Sequence, residues 1–264
     1  MSTEPLRIAP LRIAPLRIAM WSGPRNISTA MMRAFENRPD TAVVDEPFYA
    51  AFLALTGLNH PMREAVLRSQ PTDWRAVEAM LLGPSPGGAP VFYQKHMTHH
   101  MLPQIGTGWM ASCRNVFLIR RPEDVVASYR EKHDDISLDA IGVARQAELF
   151  DREADRLGHA PTVIDSADVS SAPQAMLKAL CAAVGIPFSE KMLSWPKGRR
   201  ASDGVWAPAW YDQVEQSTGF VTRAKTAPPE LPPALRAVAD AARPYYETLA
   251  RWKLETASTG DRPR

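Results

Sequence analysis

Short apolar runs alternate with longer helical patterns along most of the chain. Strands are predicted at residues 16–21, 41–44, 91–94, 115–119 and 162–164. Helices are predicted at residues 28–36, 73–81, 122–132, 138–157, 172–184 and 233–253. This alternation predicts an α/β fold of three layers (α/β/α) around a mostly parallel central sheet. Because ligands bind such sheets at the carboxyl ends of the strands, the residues that follow each strand are the candidate site residues.

The two ends of the chain differ in pattern from the middle. The pentapeptide PLRIA occurs three times in tandem from Pro5 to Ala19, which is too short a period for a solenoid. We expect only the third copy to enter the fold, so that residues 1–14 form a disordered arm; an extra edge strand is the alternative. The polar residues 256–264 are predicted to be a disordered tail. A single domain is therefore predicted over residues 15–255.

Composition excludes several classes of protein. A net charge of +2, with basic and acidic residues intermixed, does not indicate a nucleic-acid-binding surface. The two cysteines are far apart and indicate neither a disulfide framework nor a zinc site, which is typical of a cytoplasmic protein. No apolar stretch is long enough for a membrane span, and no secretory leader is seen. We expect a cytoplasmic protein with no membrane partner; its oligomeric state is left open.

The turn after the first strand has the composition of an anion-binding site. It combines a Gly-Pro turn, an arginine and a helix opened by hydroxyl residues, so backbone N–H groups and the helix dipole would face a ligand. An ordinary strand–helix turn with a serine cap is the alternative. The loop is not a Walker A sequence, since the second glycine and the lysine are missing. The candidate phosphate-binding residues here are Gly23, Pro24, Arg25, Asn26, Ile27, Ser28 and Thr29.

A second anion site is predicted after the fourth strand. That strand ends in Arg120 and Arg121, and Pro122 opens a helix that carries Ser128. Arginines at the end of a buried strand need an anionic partner. The alternative is that they pair with nearby carboxylates.

The order of these elements resembles the sulfotransferase superfamily that uses 3′-phosphoadenosine 5′-phosphosulfate (PAPS) as sulfuryl donor. The resemblance rests on a strand followed by SGPR, and on a later strand followed by R-x-P-x-D-V-x-x-S. Within the superfamily it is to a bacterial branch related to a plant domain sometimes labelled aminotransferase-like. It implies a P-loop-type fold and PAPS as co-substrate, with no metal.

The resemblance also implies roles for individual residues. The first turn, with Arg25, would hold the 5′-phosphosulfate, and Arg120 with Ser128 would hold the 3′-phosphate. A third element, KGRRASDGVW, would place Lys197, Gly198 and Arg199 or Arg200 over that same 3′-phosphate.

Two residues are candidates for the base that takes the acceptor's proton. His96 has a proline seven residues later, as does the histidine of the K-x-H element in the cytosolic sulfotransferases it resembles, but Lys95 stands one place closer than the family lysine. The ordinary pKa of a histidine suits a base near neutral pH. Glu46 lies in a Glu-Pro pair after the second strand, as in carbohydrate-type enzymes. We prefer His96 as the base, with Glu46 orienting the acceptor or the histidine, and Lys95 and Arg25 stabilising charge on the transferred group. Both residues also have structural alternatives, a helix cap for Glu46 and a buried hydrogen bond for His96.

The predicted function is sulfuryl transfer from PAPS to a small hydroxyl or amine acceptor. A nucleotide kinase or related phosphotransferase, and a non-catalytic nucleotide-binding protein, are the alternatives. An aromatic stretch with Trp195, Trp206, Trp210 and Tyr211 is predicted either to stack on the adenine or acceptor or to be core. His96, His99 and His100 have helical spacing, but no nearby carboxylate or cysteine completes a metal site.

Overall fold

The computed structural model describes residues 14–130, 136–222, 224 and 226–256. Within them lie five strands, β1 (Leu16–Ser22), β2 (Thr41–Asp45), β3 (Val91–Met97), β4 (Arg114–Ile119) and β5 (Thr162–Asp165). The helices are α1 (Ser28–Glu36), α2 (Tyr49–Thr56), α3 (Arg63–Ser69), α4 (Trp74–Leu82), α5 (Pro122–Arg130), α6 (Leu138–Ile141), α7 (Val143–Leu157), α8 (Ser166–Ser171), α9 (Pro173–Val184), α10 (Ala207–Trp210), α11 (Asp212–Gln216) and α12 (Pro233–Ala250).

The five strands form one parallel sheet in the order β2-β3-β1-β4-β5. Parallel strands need helical crossovers, and these cover the sheet on both sides. The predicted fold class, a three-layer α/β/α domain with a mostly parallel sheet, is confirmed. In the part of the chain that the structure describes, no helix is both long and apolar enough to cross a membrane.

The two faces of the sheet bury different side chains, because successive residues of a strand point to opposite sides. Ile18 and Met20 of β1 pack with α1 and α9 in one core cluster. Ala19 and Trp21 pack with α4, α7 and α12 in the other. Along β3 the same alternation places Tyr93 in the first cluster.

Two elements differ from their predicted bounds in ways that affect the site. β3 was predicted to end at residue 94, but it pairs with β1 as far as Met97. The helix predicted over residues 138–157 is divided at Gly142, where a Cβ would come within 2.7 Å of the Thr98 hydroxyl and where φ is +66°. The predicted N-terminal arm and C-terminal tail lie almost entirely outside the described residues.

Candidate active site

A cavity of about 1140 Å³ runs along the carboxyl ends of the strands. Residues that follow each of the five strands line it, among them Pro24, Glu46, His99, Arg120 and Ser166. The cavity is therefore where a parallel α/β sheet is expected to bind its ligand.

The turn after β1 leaves the amino end of α1 open toward this cavity. Ile27 occupies the cap position without a side-chain cap bond, and the first turn of α1 has no acidic residue. Arg25 and Ile27 have φ of 57° and 41°, a left-handed conformation that costs about 1–3 kcal/mol per residue and is typical of functional turns. A Cβ on Gly23 would collide with the carbonyl oxygen of Ile141, so the glycine is required by a close approach. The open N–H groups and the helix dipole make this turn suitable for an anion.

Arg25, Arg120 and Ser128 are brought together beside that turn. The Arg120 guanidinium donates to the carbonyl oxygen of Arg25, and Arg25 Nε donates to Ser128 Oγ at 3.0 Å. All three residues line the cavity. Arg121 also lines the cavity, but its guanidinium is bound to the Asp124 carboxylate at 2.8 Å.

The third predicted element lies elsewhere. Lys197, Gly198 and Arg199 are not among the residues that line the cavity. The N–H of Gly198 donates to the carbonyl oxygen of Glu215 at 2.8 Å, and Arg199 is half exposed. Further along this segment, Asp203 forms a fully buried ion pair with Arg33 of α1 at 2.7 Å. The segment is thus tied to the flank of α1, and a phosphate contact from residues 197–199 stays a prediction.

The β2–β3 end of the cavity holds a buried charge network around Lys95. Its ammonium donates to Asp45 Oδ1 at 2.9 Å, Glu46 Oε1 at 2.6 Å and the Tyr211 hydroxyl at 2.8 Å. The Tyr211 hydroxyl donates in turn to Asp45 Oδ2 at 2.7 Å and accepts from Trp206 Nε1. Since an ammonium has three donors, all of those on Lys95 are used.

Burial and charge act in opposite directions on the pKa values of this network. Burial raises the pKa of the Glu46 carboxyl above its usual value of 4.5, the charge of Lys95 opposes this, and Asp45 reinforces it. Burial would lower the pKa of Lys95, but the charges of Asp45 and Glu46 outweigh it and raise that pKa well above the usual value. Lys95 is therefore held as a cation, and the pKa of the Glu46 carboxyl lies closer to neutral pH than that of an exposed glutamate.

The structure places His96 away from the cavity, on the opposite face of β3 from Lys95. Its ring stacks on Trp21 with centroids 4.4 Å apart and lies among Phe48 and Trp109. The side chain is almost completely buried, which lowers its pKa to about 3, and it does not line the cavity. The sequence-based preference for His96 as the base is therefore revised, since a ring enclosed by aromatic side chains cannot reach an acceptor in the cavity.

Other functional candidates were missed or left open in the sequence. His99 and His100 follow β3 and line the cavity, as do Trp210 and Tyr211, whereas Trp195 and Trp206 are core. Asp45 is the last residue of β2, at the carboxyl end of the strand, so its position was a usable signal. The partnership of Tyr211 with Lys95 joins residues 116 apart in sequence, and no local pattern indicates it.

The β5 end of the cavity is polar as well. The Tyr246 hydroxyl donates to Asp165 Oδ2 at 2.7 Å, and Lys253 pairs with Asp168 at 2.8 Å. Among the described residues no group of three or more His, Cys, Asp or Glu side chains has the arrangement of a metal site. The cavity thus extends from the turn after β1 to the buried carboxylate of Glu46.

The sulfotransferase domain family model matches residues 16–252, nearly the whole described chain. The chain belongs to this family. The chain is also similar to a curated plant protein, branched-chain-amino-acid aminotransferase-like protein 1 of Arabidopsis thaliana, with 36% identity over 200 residues. The match covers 76% of this chain and 36% of the plant protein, so the chain spans about a third of the length of that curated relative. The predicted membership, including the relation to the plant aminotransferase-like proteins, is confirmed.

Solved sulfotransferases share the fold. The sulfotransferase from Alicyclobacillus acidocaldarius aligns with a TM-score of 0.53 at 14% identity, covering 92% of this chain and 98% of that one. The sulfotransferase domain from the curacin biosynthetic pathway aligns with a TM-score of 0.52 at 15% identity, covering 88% of this chain and 98% of that domain. These alignments show that the chain has the fold of solved sulfotransferases.

Proposed function

We propose that this sulfotransferase moves a sulfuryl group from PAPS to a hydroxyl or amine of a small-molecule acceptor, with Glu46 as the base. The observation that supports the proposal best is that one cavity joins two complementary ends. The turn after β1 and Arg120 suit a phosphorylated donor, and the Glu46–Lys95 pair suits proton removal from an acceptor. A family enzyme needs both ends within reach of one reacting centre.

At the donor end, the amino end of α1 and Arg25 would hold the 5′-phosphosulfate. Arg120 and Ser128 would hold the 3′-phosphate. The support is chemical: planar guanidinium groups and open N–H groups bind phosphate and sulfate oxygens. Lys197, Gly198 and Arg199 do not line the cavity, so their contact with the 3′-phosphate stays a prediction.

At the acceptor end, Glu46 would take the proton of the attacking group. The acceptor oxygen or nitrogen forms a bond to sulfur while the bond from sulfur to the 5′-phosphate oxygen breaks. The proton passes to Glu46, and 3′-phosphoadenosine 5′-phosphate (PAP) leaves with the negative charge, which Arg25 and the N–H groups of the turn stabilise. A raised pKa makes Glu46 a stronger base than an exposed glutamate.

Lys95 takes a different role from the one expected from the sequence. A bond to the bridging oxygen would require it to give up Asp45, Glu46 or Tyr211. We assign it instead to orienting the Glu46 carboxylate and holding it ionised. A cytoplasmic location is part of the proposal, since Cys113 and Cys181 are both free thiols.

Thermal unfolding with PAP tests the donor site directly. Saturation at about 100 times the Kd stabilises the folded state by roughly 2.7 kcal/mol. That corresponds to a rise in Tm of roughly 5–10 °C for a domain of this size. ATP and AMP serve as controls; a larger shift with ATP, or none with PAP, would contradict the assignment and favour a phosphotransferase or another binding role.

A further inference from the structure

Glu46 lies in a backbone conformation that its local sequence does not favour. Its φ is 39°, in the left-handed region, where a residue that carries a side chain is strained. The next residue is Pro47, and a proline ring favours an extended conformation in the residue before it. Contacts from outside the turn must therefore hold Glu46 in this conformation.

The strained turn decides where the Glu46 carboxylate points. Successive residues of an extended strand place their side chains on opposite faces, so a regular continuation of β2 would separate Asp45 from Glu46. In the structure both carboxylates reach the same ammonium group, Lys95 Nζ, Asp45 at 2.9 Å and Glu46 at 2.6 Å. The left-handed turn thus brings the proposed base to the cavity side of the sheet.

Gln70, the residue that follows α3, spans this turn with its side-chain amide. Its Nε2 donates to the carbonyl oxygens of Asp45 at 3.3 Å and Glu46 at 3.1 Å. Its Oε1 accepts from the N–H of Ala50, the second residue of α2, at 3.2 Å. One half-buried side chain therefore binds the strained residue, the end of β2 and the beginning of α2.

The remaining bonds of the turn come from the backbone. The N–H of Glu46 donates to the Lys95 carbonyl oxygen at 3.0 Å and continues the pairing of β2 with β3. The N–H of Tyr49 donates to the Glu46 carbonyl oxygen at 3.0 Å and closes the turn locally. Phe48, at the cap position of α2, supplies no side-chain bond to the amino end of that helix. The amide of Gln70 takes that place and also binds the turn itself.

From this geometry we infer that Gln70 is a positioning residue for sulfuryl transfer: its amide holds Glu46 in the left-handed turn that presents the carboxylate to Lys95 and the cavity. The inference rests on the proposed function, in which Glu46 is the base. Gln70 does not line the cavity, so it acts on the acceptor only through Glu46. Loss of its two donated bonds should let the turn relax toward the extended conformation that Pro47 favours.

Two substitutions separate the bonds that Gln70 makes. Gln70→Met keeps the approximate length of the side chain and removes all three bonds. Gln70→Glu, ionised at neutral pH, keeps an oxygen that accepts from the N–H of Ala50 but removes both bonds donated to the turn. Gln174→Met, at an exposed position of α9, is the matched control.

The activity of the two variants tests the positioning role. We expect kcat to fall about 10- to 100-fold in both at neutral pH, because a small displacement of a catalytic group is costly in rate. The Kd for PAP should stay within about twofold, since Gln70 lies outside the cavity lining. Wild-type kcat in folded Gln70→Met would overturn the inference. Wild-type kcat in Gln70→Glu would overturn it too, because Gln70 would then serve only as a cap of α2.

The titration of the Glu46 carboxyl gives a second readout that does not depend on turnover. Its carboxyl carbon is followed by NMR in protein carrying isotope-labelled glutamate, and Glu46→Gln assigns the signal. Burial is the largest influence and raises this pKa; Lys95 and the Tyr211 hydroxyl lower it, and Asp45 raises it. Relaxation of the turn would hydrate the carboxyl, so its pKa should fall toward the ordinary 4.5 in Gln70→Met. An unchanged titration in that variant would contradict the inference, because a purely structural role leaves the folded-state pKa unaltered.

The inference and the proposed function fail separately. If Glu46→Gln keeps its activity, Glu46 is not the base, but the titration of Glu46 in Gln70→Met still tests whether Gln70 holds the turn. If Glu46→Gln loses activity and both Gln70 variants keep it, Glu46 remains the base and Gln70 is not a positioning residue. Should Gln70→Met fail to fold, the kcat of Gln70→Glu decides the inference; should Gln70→Glu fail, Gln70→Met decides it.

Discussion

Lys95 and His96 are neighbours on β3, yet they lie in opposite environments. Lys95 enters the cavity and binds Asp45, Glu46 and Tyr211. His96 enters an aromatic cluster with Trp21 on the other face of the sheet. Both side chains are 1% exposed, so burial alone does not distinguish them.

The difference between Lys95 and His96 shows that strand geometry decides which residues of a motif face the cavity. Where a strand continues, its period of two assigns consecutive residues to opposite faces, and only one of them reaches a given cavity. Because β3 runs to Met97, this rule applies to Lys95 and His96. The chemical suitability of an imidazole therefore matters less than the face on which it lies.

The largest effect is expected from Glu46→Gln, which removes the proposed base. The glutamine oxygen can still accept from Lys95, so the fold should persist. We expect kcat to fall about 10²- to 10⁴-fold. PAP affinity should be unchanged, since the donor binds at the other end of the cavity. Rates are measured as PAP release with saturating PAPS. Glu148→Gln, on the exposed face of α7, is the control. A fall in kcat of less than fivefold would refute the role of Glu46.

Lys95→Met should cost the most stability. It leaves Asp45 and Glu46 buried without their cation, which destabilises a protein by about 3–5 kcal/mol. The loss should shrink as the pH falls, because burial raises the pKa of Glu46 and the folded state then binds more protons than the unfolded state. Urea denaturation at two pH values measures this, with Lys191→Met, on an exposed lysine, as the control. A loss that grows toward low pH would contradict the network.

Arg120→Ala tests the donor end of the cavity separately from the Glu46–Lys95 end. Losing a charged hydrogen-bonding group should raise the Kd for PAP about 10- to 100-fold. Arg114→Ala, at the exposed beginning of the same strand, is the matched control. Calorimetric titration measures both, and equal affinities in the two variants would remove Arg120 from the donor site.

The smallest effect is expected from His96→Phe. Phenylalanine keeps the stack on Trp21 and removes Nδ1, which has no partner. It also removes Nε2, which lies 3.3 Å from Gln94 Oε1, so one weak buried hydrogen bond is lost. We expect the free energy of unfolding to change by less than about 1.5 kcal/mol. The rate of sulfuryl transfer should stay within about twofold, since the ring does not touch the reacting groups. A large fall in kcat in a folded variant would restore His96 as the base.

The sequence predicted the parts of this molecule that depend on local pattern. The alternation of strands and helices indicated the parallel sheet, and the strand–turn–helix composition indicated the open amino end of α1. The family resemblance assigned Arg25 to the 5′-phosphosulfate and Arg120 with Ser128 to the 3′-phosphate, and the structure brings all three residues to one point.

The faces on which Lys95 and His96 lie, and the partners of Lys95, could not be predicted from local pattern. They depend on the length of a strand and on contacts between residues far apart in sequence. A strand predicted to end at residue 94 left Lys95 and His96 in a loop, where both could face the cavity; three further residues of pairing with β1 assign them to opposite faces. The partners of Lys95 come from β2 and from Tyr211, which only the tertiary fold brings near.

The acid limb of the pH–rate profile tests the central claim most directly. A base must be deprotonated to act, so kcat/KM of the wild-type protein should fall as the pH drops through the raised pKa of Glu46, above the ordinary 4.5. His96→Phe should keep this limb, because the pKa of His96 is about 3 and its ring is neutral throughout the range. Glu46→Gln should lose the limb along with most of the rate. A limb that disappears in His96→Phe and persists in Glu46→Gln would contradict the account.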